Sequence, residues 1–431
     1  MSLPFRKTNK LLLLGLIAIL LAGAALCLLS VRSAGGDTVT VCAAGCDFVT
    51  IQDAIDDSST TAGDVINVTD AVHTESVIVV NKDVTIQGQG ADSTIVQAHA
   101  DVEGATERVF FIADGAVVTI KGMTIRHGNP SSEPQSGGGI RNEGELLIEE
   151  SIISHNQGSA GGGIFNDGSL TLVDCTVSSN MATGGDTYLE CNTGGGIKNM
   201  AGVVELINST VSGNTALGKG GGLHIACQGT LVLVNSTISG NYTTNDGGGV
   251  YINGSGEFTN STIVNNSAHN GGGVYVHGTG EEGFVRGLLN YTNTIIADNT
   301  ISFVEYGMAD CFLGDDSSIG TNINNLVEDG SCDSAYSGDP YLEPLDDNGG
   351  STQTHALSPD SPMIDVLPPD DCVVDTDQQG VLRPSGEGCE LGAFEVQVGG
   401  GGIARYWVYG VLLLLLGIGG LVIAWRRRRG T

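Results

Sequence analysis

Residues 220–241 read GGGLHIACQGTLVLVNSTISGN, three glycines at one end and an asparagine at the other. The same frame opens at Gly137, Gly161, Gly194, Gly220, Gly247 and Gly271. Late in each unit stands a polar residue, in order Glu150, Asp174, Asn208, Asn235, Asn260 and Asn293. Six residues beyond each comes Asn156, Asn180, Asn214, Asn241, Asn266 or Asn299. That interval of six is constant, while successive asparagines of this last set are 24 to 34 residues apart. A fixed interval inside the unit with free length between units describes identical rungs joined by loops, a solenoid.

Alignment on the polar residue exposes a period of two. Two positions before it lie Ile148, Leu172, Leu206, Leu233 and Phe258; three positions after it lie Ile153, Val177, Val211, Ile238, Ile263 and Ile296. A third strand follows the glycines, with Ile140, Ile164, Ile197, Leu223, Val250 and Val274 facing inward. Short strands that send alternate residues to one face, separated by turn residues, predict an all-β chain with three strands per coil. Each strand pairs with its equivalent in the next coil. The expected fold is a right-handed parallel β-helix of about nine or ten coils, with like residues stacked at about 4.8 Å. The six late asparagines then form a structural ladder of amides along the axis.

The folded part is strongly acidic. All 49 acidic residues fall between Asp37 and Glu395 beside nine basic ones, a net charge of −40 there against −31 for the whole chain. Such a field excludes nucleic acid as a partner and favours cations, Ca2+ among them. No EF-hand loop or RTX nonapeptide gives calcium an address, and no paired CxxC spacing predicts zinc.

The termini place the acid outside the cell. Arg6, Lys7 and Lys10 precede the apolar run Leu11–Leu29 and small residues at Ser30, Ser33 and Ala34, a secretory signal over 1–33 with an uncleaved anchor as the alternative. Residues 397–405 read as a Gly-rich linker, 406–425 as a transmembrane anchor flanked by Trp407 and Trp425, and 426–431 as a cytoplasmic Arg tail. The rest divides into an N-terminal cap with first coils (37–98), repeat coils (99–305) and a C-terminal cap (306–396). Phe48–Ser58 is the capping helix, and the region after Asp310 closes the other end. In an oxidising compartment disulfides are the default, and proximity suggests Cys42–Cys46, Cys311–Cys332 and Cys372–Cys389. Cys175 fills a slot held by serine in other copies and reads as a packed thiol, which leaves Cys191 and Cys227 as a further pair.

Several stretches carry a family resemblance. FVTIQDAIDD (48–57), GDVINV, ESVIVV and DVTIQGQG resemble the opening of pectin-lyase-like right-handed β-helix proteins. The GGGI…NSTISGN units are similar to those of extracellular β-helix proteins and, more loosely, polymorphic outer membrane proteins. From Gly338, GDPYLEPLDDNGGSTQTHALSPDSPMIDV and DTDQQGVLRPSGEGCELGAFE resemble the terminal region of bacterial choice-of-anchor Q proteins. Where that pattern has Arg after Asp-Gln, this chain has Gln379. The glycines, apolar span and arginines also resemble a GlyGly-type sorting tail. The resemblance implies fold and surface location; activity it does not fix, because the fold hosts lyases, hydrolases, esterases and adhesins.

The polygalacturonase set (NTD, DD, GHG, RIK) is absent as an ordered series, as are the methylesterase contexts QDT and DFIFG, a GxSxG elbow and an HExxH helix. For a lyase the candidates are Arg141 and Lys198, equivalent outward positions two coils apart, competing with a reading as solvated strand-face charges. One column stands out: Arg141, Phe165, Lys198, His224, Tyr251 and Tyr275 each follow the inward aliphatic of the glycine strand. On an open outer face they make a strip for stacking sugars, although outward aromatics also follow from β propensity alone. The function expected is a cell-surface-anchored, non-catalytic adhesin or display protein that binds extracellular glycan or neighbouring surface proteins. The alternative is a polysaccharide lyase or glycoside hydrolase.

Overall fold

A computed structural model describes residues 36–132, 134–185, 193–279, 286–302 and 308–397, with backbone alone at 227, 228 and 279. The signal segment, the 406–425 run with its flanks, and Cys191 lie outside the described residues. Among those described, no helix is long and apolar enough to cross a membrane.

The chain is a parallel-strand solenoid. An eighteen-stranded and a ten-stranded sheet run its length, with a six-stranded sheet of two-residue strands between them. The inward columns stack in register: Ile140 on Ile164, Ile197, Leu223 and Val250; Ile148 on Leu172, Leu206, Leu233, Phe258 and Tyr291; Ile153 on Val177, Val211, Ile238, Ile263 and Ile296. All are buried in one continuous core. Four of the six repeat coils carry four strands rather than the expected three, because the two residues after each ladder asparagine also pair rung to rung, as Gln157 with Met181 and Gly158 with Ala182. In the other two coils the first pair of strands runs on as a single strand, Ile197–Ile207 and Leu223–Val234.

The repeat letters each have a backbone reason. Glu150, Asp174, Asn208, Asn235, Asn260 and Asn293 all have positive φ, between 45° and 54°. Asparagine and aspartate tolerate that left-handed turn better than other side chains. The first glycine of each triplet is also left-handed, and a Cβ on the second or third would strike a neighbouring carbonyl, as at Gly138 against Gln157 and Gly162. The late asparagines form a continuous chain: Nδ2 of each donates to Oδ1 of the next at 2.9–3.0 Å, from Asn156 to Asn299. The same oxygen accepts the backbone N–H of the donor residue.

Helix α1, Ile51–Asp56, covers the first rungs. Gln52 exchanges hydrogen bonds with Val79 of the edge strand, supplying partners that an open sheet edge lacks. At the far end the coils do not stop near Asp310. Cys311–Asp315, Ser318–Ile323 and Leu326–Val327 add another rung to the existing sheets. The region after it is less an end cap than a strap along the flank. Thr352 bonds Asn208, Gln378 bonds Thr210 and Thr237, His355 bonds Ser239, and Ala393 bonds Thr262. The reason is chemical: the ten-stranded sheet presents a column of threonines, Thr210, Thr237 and Thr262, and the strap presents matching amides and carbonyls.

Three disulfides, Cys42–Cys46, Cys311–Cys332 and Cys372–Cys389, are formed. Cys175 is a free buried thiol whose Sγ donates to the Ile148 and Val173 carbonyls, and burial pushes it up to about 12. The Cys191–Cys227 pairing falls on positions outside the described side chains.

Candidate functional site

The column after the inward aliphatics is continuous: Phe111, Arg141, Phe165, Lys198, His224, Tyr251, Tyr275 and Phe312 are successive register partners. Its side chains stack as their spacing demands. The Arg141 guanidinium lies 4.9 Å from the Phe165 ring centre, and Lys219 Nζ lies 5.1 Å from that of Tyr251. His224 meets Tyr251 edge-on at 4.8 Å, Tyr251 stacks on Tyr275 at 5.3 Å, and Tyr275 stacks on Phe312 at 5.0 Å. These are favourable offset and cation–π geometries.

The column is not the open strip that alternation predicts. Phe165 is 9% exposed, His224 1%, and Lys198 and Tyr251 0%. Alternation fixes which way a side chain leaves the sheet, and it is blind to connecting segments that lie across the outer face. Thr193 of one such segment contacts His224, with Oγ1 3.3 Å from Nδ1. Burial, helped by the charges of Lys198, Lys219 and His277, holds the His224 imidazole well below its ordinary value and therefore neutral. Burial pushes the Tyr275 phenol up to about 12, with Asp246 and Asp315 adding to it.

Both lyase candidates are engaged or enclosed. Arg141 bonds Glu143 through Nε at 2.8 Å and Nη2 at 2.7 Å, and Nη1 donates to Ser136 Oγ at 2.6 Å. Lys198 sits in the sealed part of the column, one rung from Phe165 and one from His224. Phe111, Arg141, Tyr275 and Phe312 of the column, with Lys219 beside it, are half-buried, and solvent reaches this corner there.

One arrangement escaped the sequence reading. On the second strand of each coil the outward register runs Leu147, Thr171, Glu205, Val232, Glu257 and Asn290. Glu205 and Glu257 therefore share a column two rungs apart, about 10 Å at the backbone. Burial raises the Glu205 carboxyl above its ordinary value. Their signal lies in the column three residues before the left-handed turn residue, Asn208 and Asn260 respectively, which becomes visible only when every outward position is aligned. Among the described residues no cluster of three or more His, Cys, Asp or Glu side chains could hold a metal ion.

These registers define the class as a parallel β-helix. No family model matches the chain, and no curated protein matches it. Among solved structures it is similar to pectate lyase Pel9A, at 15% identity over 84% of this chain and 97% of that one with a TM-score of 0.44. It is also similar to the pectin methylesterase from carrot, at 15% identity over 68% and 90% with a TM-score of 0.31. A third is the PL6-family alginate lyase AlyGC, at 13% identity over 80% and 58% with a TM-score of 0.26. At these values no residue role is carried across.

Proposed function

We propose that the chain is a non-catalytic β-helix rod displayed at the cell surface, an adhesin or display protein whose partners are extracellular glycans or neighbouring surface proteins. The observation that carries this reading is the fate of the candidate column. Arg141 is committed to Glu143 and Ser136, while Lys198, His224 and Tyr251 are shut off from solvent. Neither a proton acceptor nor a broad stacking face reaches a polymer from those four residues. Three disulfides favour an oxidising compartment. The leader-like 1–33, the apolar run 406–425 and the choice-of-anchor Q-like terminal sequence support secretion followed by membrane anchoring. Glycan contact, in this reading, falls on the solvent-reached rim of Arg141, Lys219 and Tyr275.

The alternative, a glycoside hydrolase or lyase, has one observation in its favour. Glu205 and Glu257 stand two rungs apart, about 10 Å at the backbone, close to the roughly 6.5–9.5 Å between the carboxyls of inverting glycosidases, and the raised Glu205 suits a general acid. Incubating the purified chain with a panel of plant and microbial polysaccharides, with and without Ca2+, separates the two. The display reading expects no turnover. Unsaturated uronide absorbance or new reducing ends would overturn it. Loss of that activity in Arg141→Ala or Lys198→Ala would locate it on the aromatic column, and loss in Glu205→Gln or Glu257→Gln on the second.

A further inference from the structure

The flank strap encloses more negative charge than it can neutralise. Asp377, Glu390 and Glu395 are fully buried, and Arg383 nearly so. Arg383 Nη1 lies 3.2 Å from Glu395 Oε2 and donates to the Glu390 carbonyl at 2.8 Å; Nη2 donates to the Gly392 carbonyl at 2.7 Å. Asp377 accepts the backbone N–H groups of Gln379, Val381 and Glu395. Glu395 accepts those of Ser385 and Glu390. Glu390 Oε1 accepts the Asp365 N–H at 3.3 Å, but its Oε2 receives no N–H or O–H from any described residue. The Glu390 backbone N–H, donating to Glu395 Oε2 at 3.2 Å, holds the Glu395 carboxylate against this residue.

Two neighbouring buried carboxylates, one with an oxygen that no donor reaches, call for a proton. Placed on Glu390, it removes one charge and turns the contact into a hydrogen bond to Glu395. Burial first, then the hydrogen bond and charge of Glu395, push the Glu390 carboxyl up to about 9. The further charged group at the cluster is Asp365, whose Oδ1 accepts the Gly388 N–H. The coils present uncharged groups here: Thr262 Oγ1 accepts the Ala393 N–H, and the Asn293 carbonyl accepts that of Gly392.

This cluster joins two of the runs by which the strap grips the flank. Thr376–Gln378 reaches Asn235, Thr237 and Thr210, while Gly392–Ala393 reaches Asn293 and Thr262. The Gln378 N–H donates to the Ala393 carbonyl and ties one run to the other. We propose that the proton shared by Glu390 and Glu395 is a latch. While it is held the strap stays docked on the ten-stranded sheet; its loss to base in alkaline solution drives the two carboxylates apart and releases the strap, with the coils still folded. Release bares the Thr210, Thr237 and Thr262 hydroxyls, a flat hydrogen-bonding column at rung spacing.

The test uses the full chain across neutral to alkaline pH. Infrared spectroscopy of the wild type should show a protonated carboxylic acid band at neutral pH that vanishes on alkalinisation. Hydrogen exchange, corrected for intrinsic rates, should show protection at Gln378, Gly392 and Ala393 falling at least tenfold in the same range while Thr237 and Val250 keep theirs. Glu390→Gln, which cannot lose a proton, should hold the strap protected throughout. Absence of the acid band, or loss of strap and rung protection together, would overturn the latch, and so would equal alkaline loss in Glu390→Gln. If that variant does not fold, the wild-type band and exchange profile decide alone.

Discussion

Asp310 stands where the next asparagine of the ladder would stand: its Oδ1 accepts the Asn299 backbone N–H at 3.2 Å and Asn299 Nδ2 at 3.0 Å. A carboxylate takes both bonds but has no hydrogen to pass on, so the ladder ends there without a stranded donor. Its other oxygen accepts the Asp329 N–H at 3.1 Å. Burial pushes this carboxyl up to about 6; the Asn299 bond pulls it back, and the Asp329 charge adds to the rise.

A raised acid stabilises the fold most when protonated. The Asp310 contribution is therefore complete below its unfolded value near 3.8 and is lost as pH rises through about 6. At about 1.4 kcal/mol per pH unit, roughly 3 kcal/mol disappears between about pH 4 and 7. In Asp310→Asn that slope should vanish, although an amide opposite the Asp329 N–H costs some absolute stability. Urea unfolding across a pH series measures it, and parallel slopes for wild type and variant would exclude the linkage.

Within the ladder the cost lies in stranded partners. Asn214 accepts the backbone N–H and Nδ2 of Asn180 and donates to the Val177 carbonyl and Asn241 Oδ1. Asn214→Ala leaves several buried groups unpaired, at roughly 1–3 kcal/mol each, so destabilisation above about 3 kcal/mol is expected. Asn208→Ala, at a half-buried turn, should cost about 1–2 kcal/mol, mainly for holding alanine in a left-handed conformation. Equal losses by denaturant titration would mean the ladder adds nothing beyond turn geometry.

The burial of Tyr251 reverses what alternation implies for its mutation. As an outward residue on open sheet, Tyr251→Ala would be nearly neutral. Packed between His224 and Tyr275 with no exposed surface, it should cost about 3–5 kcal/mol, in the range of a buried aromatic. Leu233→Ala, in the inner stack, should cost about 2–5 kcal/mol, and Tyr275→Ala less than either. If Tyr251→Ala unfolds at wild-type denaturant concentrations, the outer face is open after all.

The repeat made the inner structure legible. Period-two alternation and the constant interval of six identify the stacked columns from Ile148 to Phe258 and the amide chain from Asn156 to Asn299, because those depend on local backbone geometry. A second amide run, Asn142 to Asn166 to Asn199, follows from the same register but hides behind the aliphatic column beside it. What covers the rungs was not legible. Contacts such as Thr193 with His224, or Gln378 with Thr210, join residues 31 and 168 positions apart and leave no periodic trace. Period-two spacing therefore finds the column from Arg141 to Tyr275 but not the segments that bury Phe165, Lys198, His224 and Tyr251 within it. Gln379 likewise donates to Thr354 Oγ1 at 2.6 Å, a contact across 25 positions.

The N-terminal cap should respond to pH with the histidine sign. His73 Nε2 lies 2.8 Å from Glu75 Oε2 and Nδ1 lies 3.4 Å from Asp70 Oδ2. Glu75 in turn accepts the first N–H groups of α1, from Ile51 at 2.7 Å and Gln52 at 2.9 Å, and Asp70 accepts the Ala43 N–H. One imidazolium thus braces two carboxylates that hold the helix start and the disulfide loop. Burial alone would lower His73, but the bonds to Glu75 and Asp70 and their charges outweigh it and raise it. A raised histidine contributes fully below its unfolded value near 6.5, and the contribution fades as pH climbs through the higher folded value. Hydrogen exchange at Ile51 and Gln52, corrected for intrinsic rates, should therefore show cap protection declining from about pH 5 to about pH 9. His73→Gln should start lower and stay flat, while the central rungs, with Val211 and Ile238 as reporters, should not change. A cap equally protected at both ends of that range in the wild type would show that the two carboxylates hold α1 without the proton.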